Sequence, residues 1–251
     1  MKLKLLFIVT LSLLVLSVLT NYLLFRLCND YYRELQIVRL DPLSSGKFSK
    51  DNLQLRNSSA KKNNVILLGD SRIARWSPAL SPAEGEIINR GVAGETSNIT
   101  LLRLEQDVFS LHPAGVVIQT GINDLKTIGL WPERKEAIVS ICKRNLQQIA
   151  EKLSAHNIPV CFLTIFPPAE VDWKHYVVWS DDIRSAVVEV NQYLKNMNLK
   201  NIQVIDCSVL LESDKYLKQE YAQDTYHLNA AGYKALNSCL ADRVNKFISA
   251  P

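Results

Sequence analysis

Val65-Ile66-Leu67-Leu68-Gly69-Asp70-Ser71-Arg72 runs four apolar residues into a glycine and then at once into Asp-Ser. The run is too short for a helix and includes β-branched residues, so it reads as a buried strand that delivers a serine at its end. In a parallel α/β sheet, ligands gather at the carboxyl ends of the strands, which puts the Ser71 hydroxyl on the working face. What that hydroxyl does depends on which other groups arrive there.

Two distant stretches carry suitable partners. Val116-Val117-Ile118-Gln119-Thr120-Gly121-Ile122-Asn123-Asp124 is a second apolar run closed by glycine, with an amide side chain just beyond it. Asp224-Thr225-Tyr226-His227 sets a carboxylate and an imidazole three residues apart. A serine hydroxyl is a poor nucleophile until a base takes its proton, and the base needs a third group to fix its tautomer. Ser71, His227 and Asp224 are the candidates for nucleophile, base and orienting acid.

With these residues in place, the chain resembles the SGNH, or GDSL-type, serine hydrolases. Gly69-Asp70-Ser71 is similar to the nucleophile block, and Gly94 within Asn89-Arg90-Gly91-Val92-Ala93-Gly94-Glu95-Thr96 to the glycine block. Gly121-Ile122-Asn123-Asp124 is similar to the asparagine block and Asp224-Thr225-Tyr226-His227 to the Asp-x-x-His block, all in the family's order. The likeness covers residues 64–249 and is strongest to the platelet-activating-factor acetylhydrolase type, because Gly-Val-Ala-Gly-Glu-Thr is followed by Leu102-Arg103-Leu104 and then by the strand ending in Gly-x-Asn. One departure is Arg72, which stands where the family often has leucine. The resemblance implies acyl transfer to water, with the backbone N–H groups of Ser71 and Gly94 and the Asn123 amide forming the oxyanion hole. It implies no cofactor and no metal.

Each of these residues has a simpler structural reading. Ser71 is also a suitable N-cap for a following helix, and Asn123-Asp124 a suitable turn after a strand. His227 reads equally as a surface histidine and Asp224 as the cap of a short turn. Of the other histidines, His112, His156 and His175 lie in no motif.

The chain has 251 residues, 47% of them hydrophobic and 22% charged, a composition that allows one large domain with a full core. The net charge of +4 is mild and the basic residues are scattered, Lys61-Lys62 being an adjacent pair, so no basic stripe for nucleic acid exists. Gly-x-Ser-x-Gly, Gly-x-x-x-x-Gly-Lys, Gly-x-Gly-x-x-Gly and His-Glu-x-x-His are all absent, which argues against α/β-hydrolase, nucleotide-binding and zinc-protease classes. Asp224 and His227 make only two of the ligands a metal needs. There is no Cys-x-x-Cys; Cys161 and Cys207 read as small core residues, and five cysteines permit one disulfide without requiring it.

Residues 5–25 carry no charge, and 21 residues of helix span about 30 Å, the thickness of a bilayer's hydrocarbon core. The run follows Lys2 and Lys4, exceeds a typical signal-peptide core, and lacks a small-x-small cleavage site near Val18-Leu19-Thr20-Asn21, so it reads as a retained anchor rather than a cleaved signal. Arg26, Arg33 and Arg39 compete with Lys2 and Lys4 for the inside, and the reading adopted places the catalytic domain on the extracytoplasmic side. Cys28 does not read as a lipidated cysteine, because Phe25-Arg26-Leu27 puts a charge where small or apolar residues are expected.

The expected organisation is an anchor at 1–26, a linker and lead-in at 27–63 that is irregular over its Ser- and Asn-rich part from 41 to 64, and a hydrolase domain at 64–251. After the first strand, the pattern predicts strands at 86–89, 116–120, 158–165 and 202–205 and helices at 96–110, 131–155, 181–197 and 229–248. Strands that are apolar throughout are buried on both faces. The fold class is therefore α/β, a three-layer α/β/α sandwich with a mostly parallel five-stranded sheet of the flavodoxin-like SGNH type, preceded by one N-terminal transmembrane helix.

Three functions follow from this reading: a membrane-anchored esterase acting on lipid or small-molecule esters, an O-acyltransferase or O-deacetylase of envelope polysaccharide, and a noncatalytic tethered binding domain. The loop 166–179, with its aromatic residues and prolines, is the expected pocket wall.

Overall fold

The computed structural model describes residues 2–43, 45–57, 63–77, 80, 85–173 and 176–248. Lys61, Lys62 and His175, named above, lie outside the described residues. The chain divides into two compact units, Met1–Ser45 and Gly46–Pro251.

The first unit is a single helix, α1 (Lys2–Leu40), none of whose residues is buried. It is long and apolar enough to cross a membrane. Its polar residues are partly satisfied from within: Thr10 Oγ1 donates to Leu6 O at 2.9 Å and Asn21 Nδ2 to Ser17 O at 2.8 Å. Such bonds to the helix's own carbonyls need no water, as an apolar surrounding demands. The helix continues past the uncharged run, through Arg26 and Asp30, to Leu40.

The second unit begins with α2 (Ser45–Asn57), β1 (Val65–Gly69), α3 (Ser71–Ala74), β2 (Ile87–Gly91), α4 (Ser97–Leu102), α5 (Leu104–Asp107) and β3 (Gly115–Gln119). It continues with α6 (Ile122–Leu125), α7 (Lys135–Ala155), β4 (Val160–Leu163), α8 (Asp182–Lys195) and β5 (Ile202–Ile205). It ends with α9 (Ser208–Leu211), a hairpin of β6 (Glu212–Ser213) and β7 (Tyr216–Leu217), and α10 (Ala230–Ile248). The five main strands form one parallel sheet in the order β2-β1-β3-β4-β5.

Alternation along each strand separates two cores. Ile66, Leu68, Val116, Ile118, Val160 and Phe162 point to one face, where α5 to α8 cover them. Val65, Leu67, Val117, Cys161 and Leu163 point to the other, under α3, α9 and α10. Each such side chain contributes about 1.5 to 3 kcal/mol by leaving water, which is why the strands read as unbroken apolar runs. The three-layer α/β/α class with a parallel five-stranded sheet is as expected; the two-residue strands of the antiparallel hairpin were not.

Two local expectations are corrected. The lead-in expected to be irregular contains α2, which is tied down by polar contacts through Asn52 as well as by Leu55 packing on the core. Asn52 is buried; its Nδ2 donates to Asp107 Oδ1 at 2.7 Å, and its Oδ1 accepts from Arg90 Nη2 at 2.7 Å. No apolar stripe announces such a helix. The second concerns Cys207, which lies in the core as expected but is not a free thiol: it forms a disulfide with Cys239, joining the start of α9 to α10. Cys161 is a buried free thiol, as read, and burial pushes it up to about 12.

The strand order reverses direction between β1 and β3, both neighbours of which have been laid down on opposite sides. That reversal opens a crevice at the carboxyl ends of the two strands. Gly69 closes β1 there with φ +147°, and a Cβ on it would sit 1.8 Å from Gln119 O, so only glycine lets the two strand ends approach so closely.

Candidate active site

The chain leaves β1 through Asp70, which caps α3: its Oδ1 accepts from Arg72 N at 2.8 Å. The capping role therefore falls to Asp70, and Ser71 occupies the first helical position instead. Burial pushes the Asp70 carboxyl up to about 6, against the pull of Arg72.

Ser71 Oγ lies 2.8 Å from His227 Nε2. On the other side of the ring, His227 Nδ1 is 2.8 Å from both Asp224 oxygens. Asp224 Oδ1 also accepts from Tyr226 N at 2.8 Å and His227 N at 3.0 Å. Burial alone would raise the Asp224 carboxyl, but the His227 ring and the two N–H groups together hold it well below the usual range. An ionised carboxylate only accepts, so Nδ1 carries the imidazole proton and Nε2 is left to accept from the serine hydroxyl.

Gly94 follows β2 in a turn closed by Glu95 N to Val92 O at 3.3 Å. Its φ of +78° favours glycine, although a Cβ there would meet nothing within 4 Å, so conformation rather than space selects the residue. Asn123 lies in the first turn after β3. Its Nδ2 donates to Glu95 O at 2.8 Å, which uses one of two N–H bonds and leaves the other to the cavity. Asp124 holds the same loop by accepting from Ser97 N at 2.8 Å and Ser97 Oγ at 2.6 Å. Asn123-Asp124 thus binds two loops together and is more than a turn. The Ser71 and Gly94 backbone N–H groups have no acceptor among the described residues.

The structure brings all five sequence-identified residues, Ser71, Gly94, Asn123, Asp224 and His227, to the carboxyl end of the sheet. Ser71, Gly94, Asn123 and His227 line one cavity of about 340 Å³, together with Arg75, Ala93, Ile122, Lys126, Thr127, Leu130, Val178 and Tyr226. Of the loop expected as the pocket wall, Val178 lines this cavity. Phe166 is buried instead, with its ring 3.8 Å from the Arg72 guanidinium. His112 and His156 take no part; His156 stacks on Phe109 at 3.8 Å.

Several further residues near the site had no role assigned from sequence. Arg72, 1% exposed, does not line the cavity: its Nε donates to Tyr226 O at 2.9 Å and its Nη1 to Phe166 O at 2.9 Å. It therefore ties the serine turn to the backbone beside His227, work that leucine could not do. Glu95 is the second such residue. Its carboxyl meets Arg103 Nε at 3.0 Å and Thr100 Oγ1 at 2.5 Å, while Arg103 reaches Asp107 at 3.0 Å. Burial pushes Glu95 up to about 7, against Arg103 and Thr100. Lys126 is the third, and its signal was present in the sequence: three residues past Asn123 in a helical turn, it shares that residue's face.

Comparison with known proteins defines the class. The GDSL-like lipase/acylhydrolase family model matches residues 59–235, so the chain belongs to that family and stands among the carboxylic ester hydrolases. An uncharacterized lipoprotein, YqeF of Bacillus subtilis, is 25% identical over 149 residues, which are 57% of this chain and 60% of that protein. The chain thus matches only about three fifths of the relative's length. A proposed platelet activating factor from Streptococcus pneumonia shares the fold with TM-score 0.68 and 21% identity, over 85% of this chain and 99% of that one. A GDSL-like lipase from Bacteroides thetaiotaomicron does so with TM-score 0.64 and 24% identity, over 81% and 98%. The expected resemblance to SGNH/GDSL hydrolases and the expected fold are both borne out.

Proposed function

We propose that the protein is a membrane-anchored serine esterase in which Ser71, His227 and Asp224 form the triad. The observation that carries this reading is the unbroken line Ser71 Oγ, His227 Nε2, His227 Nδ1, Asp224, with 2.8 Å at each step. His227 Nε2 takes the hydroxyl proton as Ser71 Oγ bonds to the ester carbonyl carbon. The carbonyl oxygen becomes an oxyanion facing Ser71 N–H, Gly94 N–H and the spare N–H of Asn123, and it re-forms the carbonyl as the alcohol leaves with the proton from His227. Water then repeats the sequence on the acyl-serine and releases the carboxylate. Transfer to a sugar hydroxyl differs only in the second nucleophile, and product analysis with a sugar acceptor present distinguishes the two.

The oxyanion role of Asn123 is tested by Asn123→Ala. If the amide donates to the oxyanion, kcat falls about 10²- to 10³-fold with KM little changed. If it serves only the loop contact to Glu95, melting temperature falls instead and kcat per folded molecule stays within threefold of wild type, which removes Asn123 from the mechanism.

The proposed organisation is an anchor at 1–26 within α1 and a hydrolase domain at 64–251, to which α2 adds through Asn52. An extracytoplasmic domain is supported by the Cys207–Cys239 disulfide, since such bonds persist in oxidising compartments. Deleting residues 1–26 is expected to give a soluble protein that melts cooperatively and hydrolyses a soluble ester at close to the full-length rate. Loss of cooperative melting would show that the segment belongs to the core.

A further inference from the structure

Among the described residues, the cavity beside Ser71 is lined by two cations, Arg75 and Lys126, and by no carboxylate. Arg75 is compensated, with its Nη1 3.7 Å from Asp224 Oδ2 and its side chain 46% exposed. Lys126 is different. It is half-buried, and its ammonium makes no hydrogen bond or ion pair among the described residues. The carboxyl that acts on it, Asp70, is wholly buried and itself pushed up to about 6 by that burial. Ala93, Ile122, Leu130 and Val178 give the same cavity an apolar wall.

An ordinary surface lysine keeps its ammonium in water and points away from a catalytic centre. Lys126 is half-buried and lines the cavity that Ser71 also lines. It shares a helical face with Asn123, and burial holds its ammonium below the usual lysine range. An ammonium has three donors to satisfy, and a neutral aliphatic ester filling this cavity would displace water from them and offer nothing in return. A volume of about 340 Å³ is at the small end for ligand sites. A small substrate filling it reaches the lining residues on every side, Lys126 among them.

We propose that the ester hydrolysed here carries an anionic group, a carboxylate or a phosphate, which Lys126 binds, with Arg75 as the second positive charge on the cavity wall. This rests on the esterase reading. Lys126, which has no direct hydrogen-bond or ion-pair partner among the described residues, then serves specificity: it rewards esters with a charged end and disfavours neutral ones of the same shape. The anion lies either on the acyl side of the scissile bond, as in a dicarboxylic half-ester, or on the alcohol side, as in an acylated glycerol phosphate.

Two matched pairs test both placements. On the acyl side, p-nitrophenyl hemisuccinate is compared with its neutral isostere p-nitrophenyl levulinate. On the alcohol side, 1-acetylglycerol 3-phosphate is compared with 1-acetylglycerol. Binding is measured by calorimetry on the full-length Ser71→Ala protein, which does not consume the esters, and hydrolysis is measured separately on wild type. At least one anionic member is expected to bind about tenfold or more tightly than its neutral counterpart. That ratio falls to within twofold when Lys126→Met is added, is retained with Lys126→Arg, and shrinks with added salt. Equal affinities in both pairs, or a ratio indifferent to Lys126→Met, overturn the proposal. Hydrolysis of the neutral members by wild type but not by Ser71→Ala, without any anionic preference, would overturn it while leaving the esterase reading intact. Anion-selective binding through Lys126 without hydrolysis of any ester would do the reverse.

Discussion

Replacing Ser71 by alanine is expected to lower kcat for ester hydrolysis by about 10⁶-fold while the protein still folds. The magnitude follows from what is lost. Without Oγ there is no acyl-enzyme, His227 has no hydroxyl to activate, and only substrate binding and the oxyanion donors remain, which supply a small residual rate. Folding should be spared because Asp70, not Ser71, caps α3, and because Ser71 Oγ makes its hydrogen bond to His227 rather than to the backbone. A fluorophosphonate probe should label the wild type at one serine and the variant not at all. Undiminished labelling of the variant, or a kcat within tenfold of wild type, would falsify the assignment of Ser71 as nucleophile.

The second large effect is expected at Asp224. Asp224→Asn keeps an oxygen for the N–H groups of Tyr226 and His227, so the loop that carries His227 retains its shape. The new amide, however, presents N–H to His227 Nδ1 and stabilises the tautomer whose proton sits on Nε2. That proton faces Ser71 Oγ, where a lone pair is required, and kcat is expected to fall about 10⁴-fold. Because the defect is one of tautomer, KM should change little. A loss of less than tenfold would reduce Asp224 to a loop-forming residue, and a matching fall in melting temperature would assign it the same minor part.

How much of this was legible in the sequence depends on where the stabilising free energy resides. The three central strands were readable because Val65 to Leu68, Val116 to Ile118 and Val160 to Leu163 are buried on both faces, so their burial is written as uninterrupted apolar runs; the edge strands β2 and β5 are shorter in apolar residues and partly exposed. The helix α2 was not, because Asn52 holds it through hydrogen bonds to partners 38 and 55 residues away, and no local pattern announces them. The hairpin of β6 and β7 escaped for a related reason: two residues per strand give no periodicity. Cys207 could be assigned to Cys239 only after α9 and α10 were placed beside each other. At the candidate site, Ser71, Gly94, Asn123, Asp224 and His227 were found by spacing and family likeness. Arg72 was noticed only as a departure from the family's leucine and Glu95 not at all, since a buried arginine or glutamate looks in sequence like any solvated charge. Lys126 was overlooked on the same ground, although its spacing from Asn123 was in plain view.

The polar latch on α2 also imposes an order in time. Asn52 precedes Asp107 by 55 residues, so a ribosome adding about 5 to 20 residues per second needs roughly 3 to 11 s to synthesise the partner after α2 itself. Arg90, 38 residues after Asn52, is made before Asp107, so the latch is first half-complete and closes only when Asp107 follows. The N-terminal helix is finished earlier still. The segment that follows the first helix is therefore made before both of its partners, and its latch closes only once α5 has been synthesised.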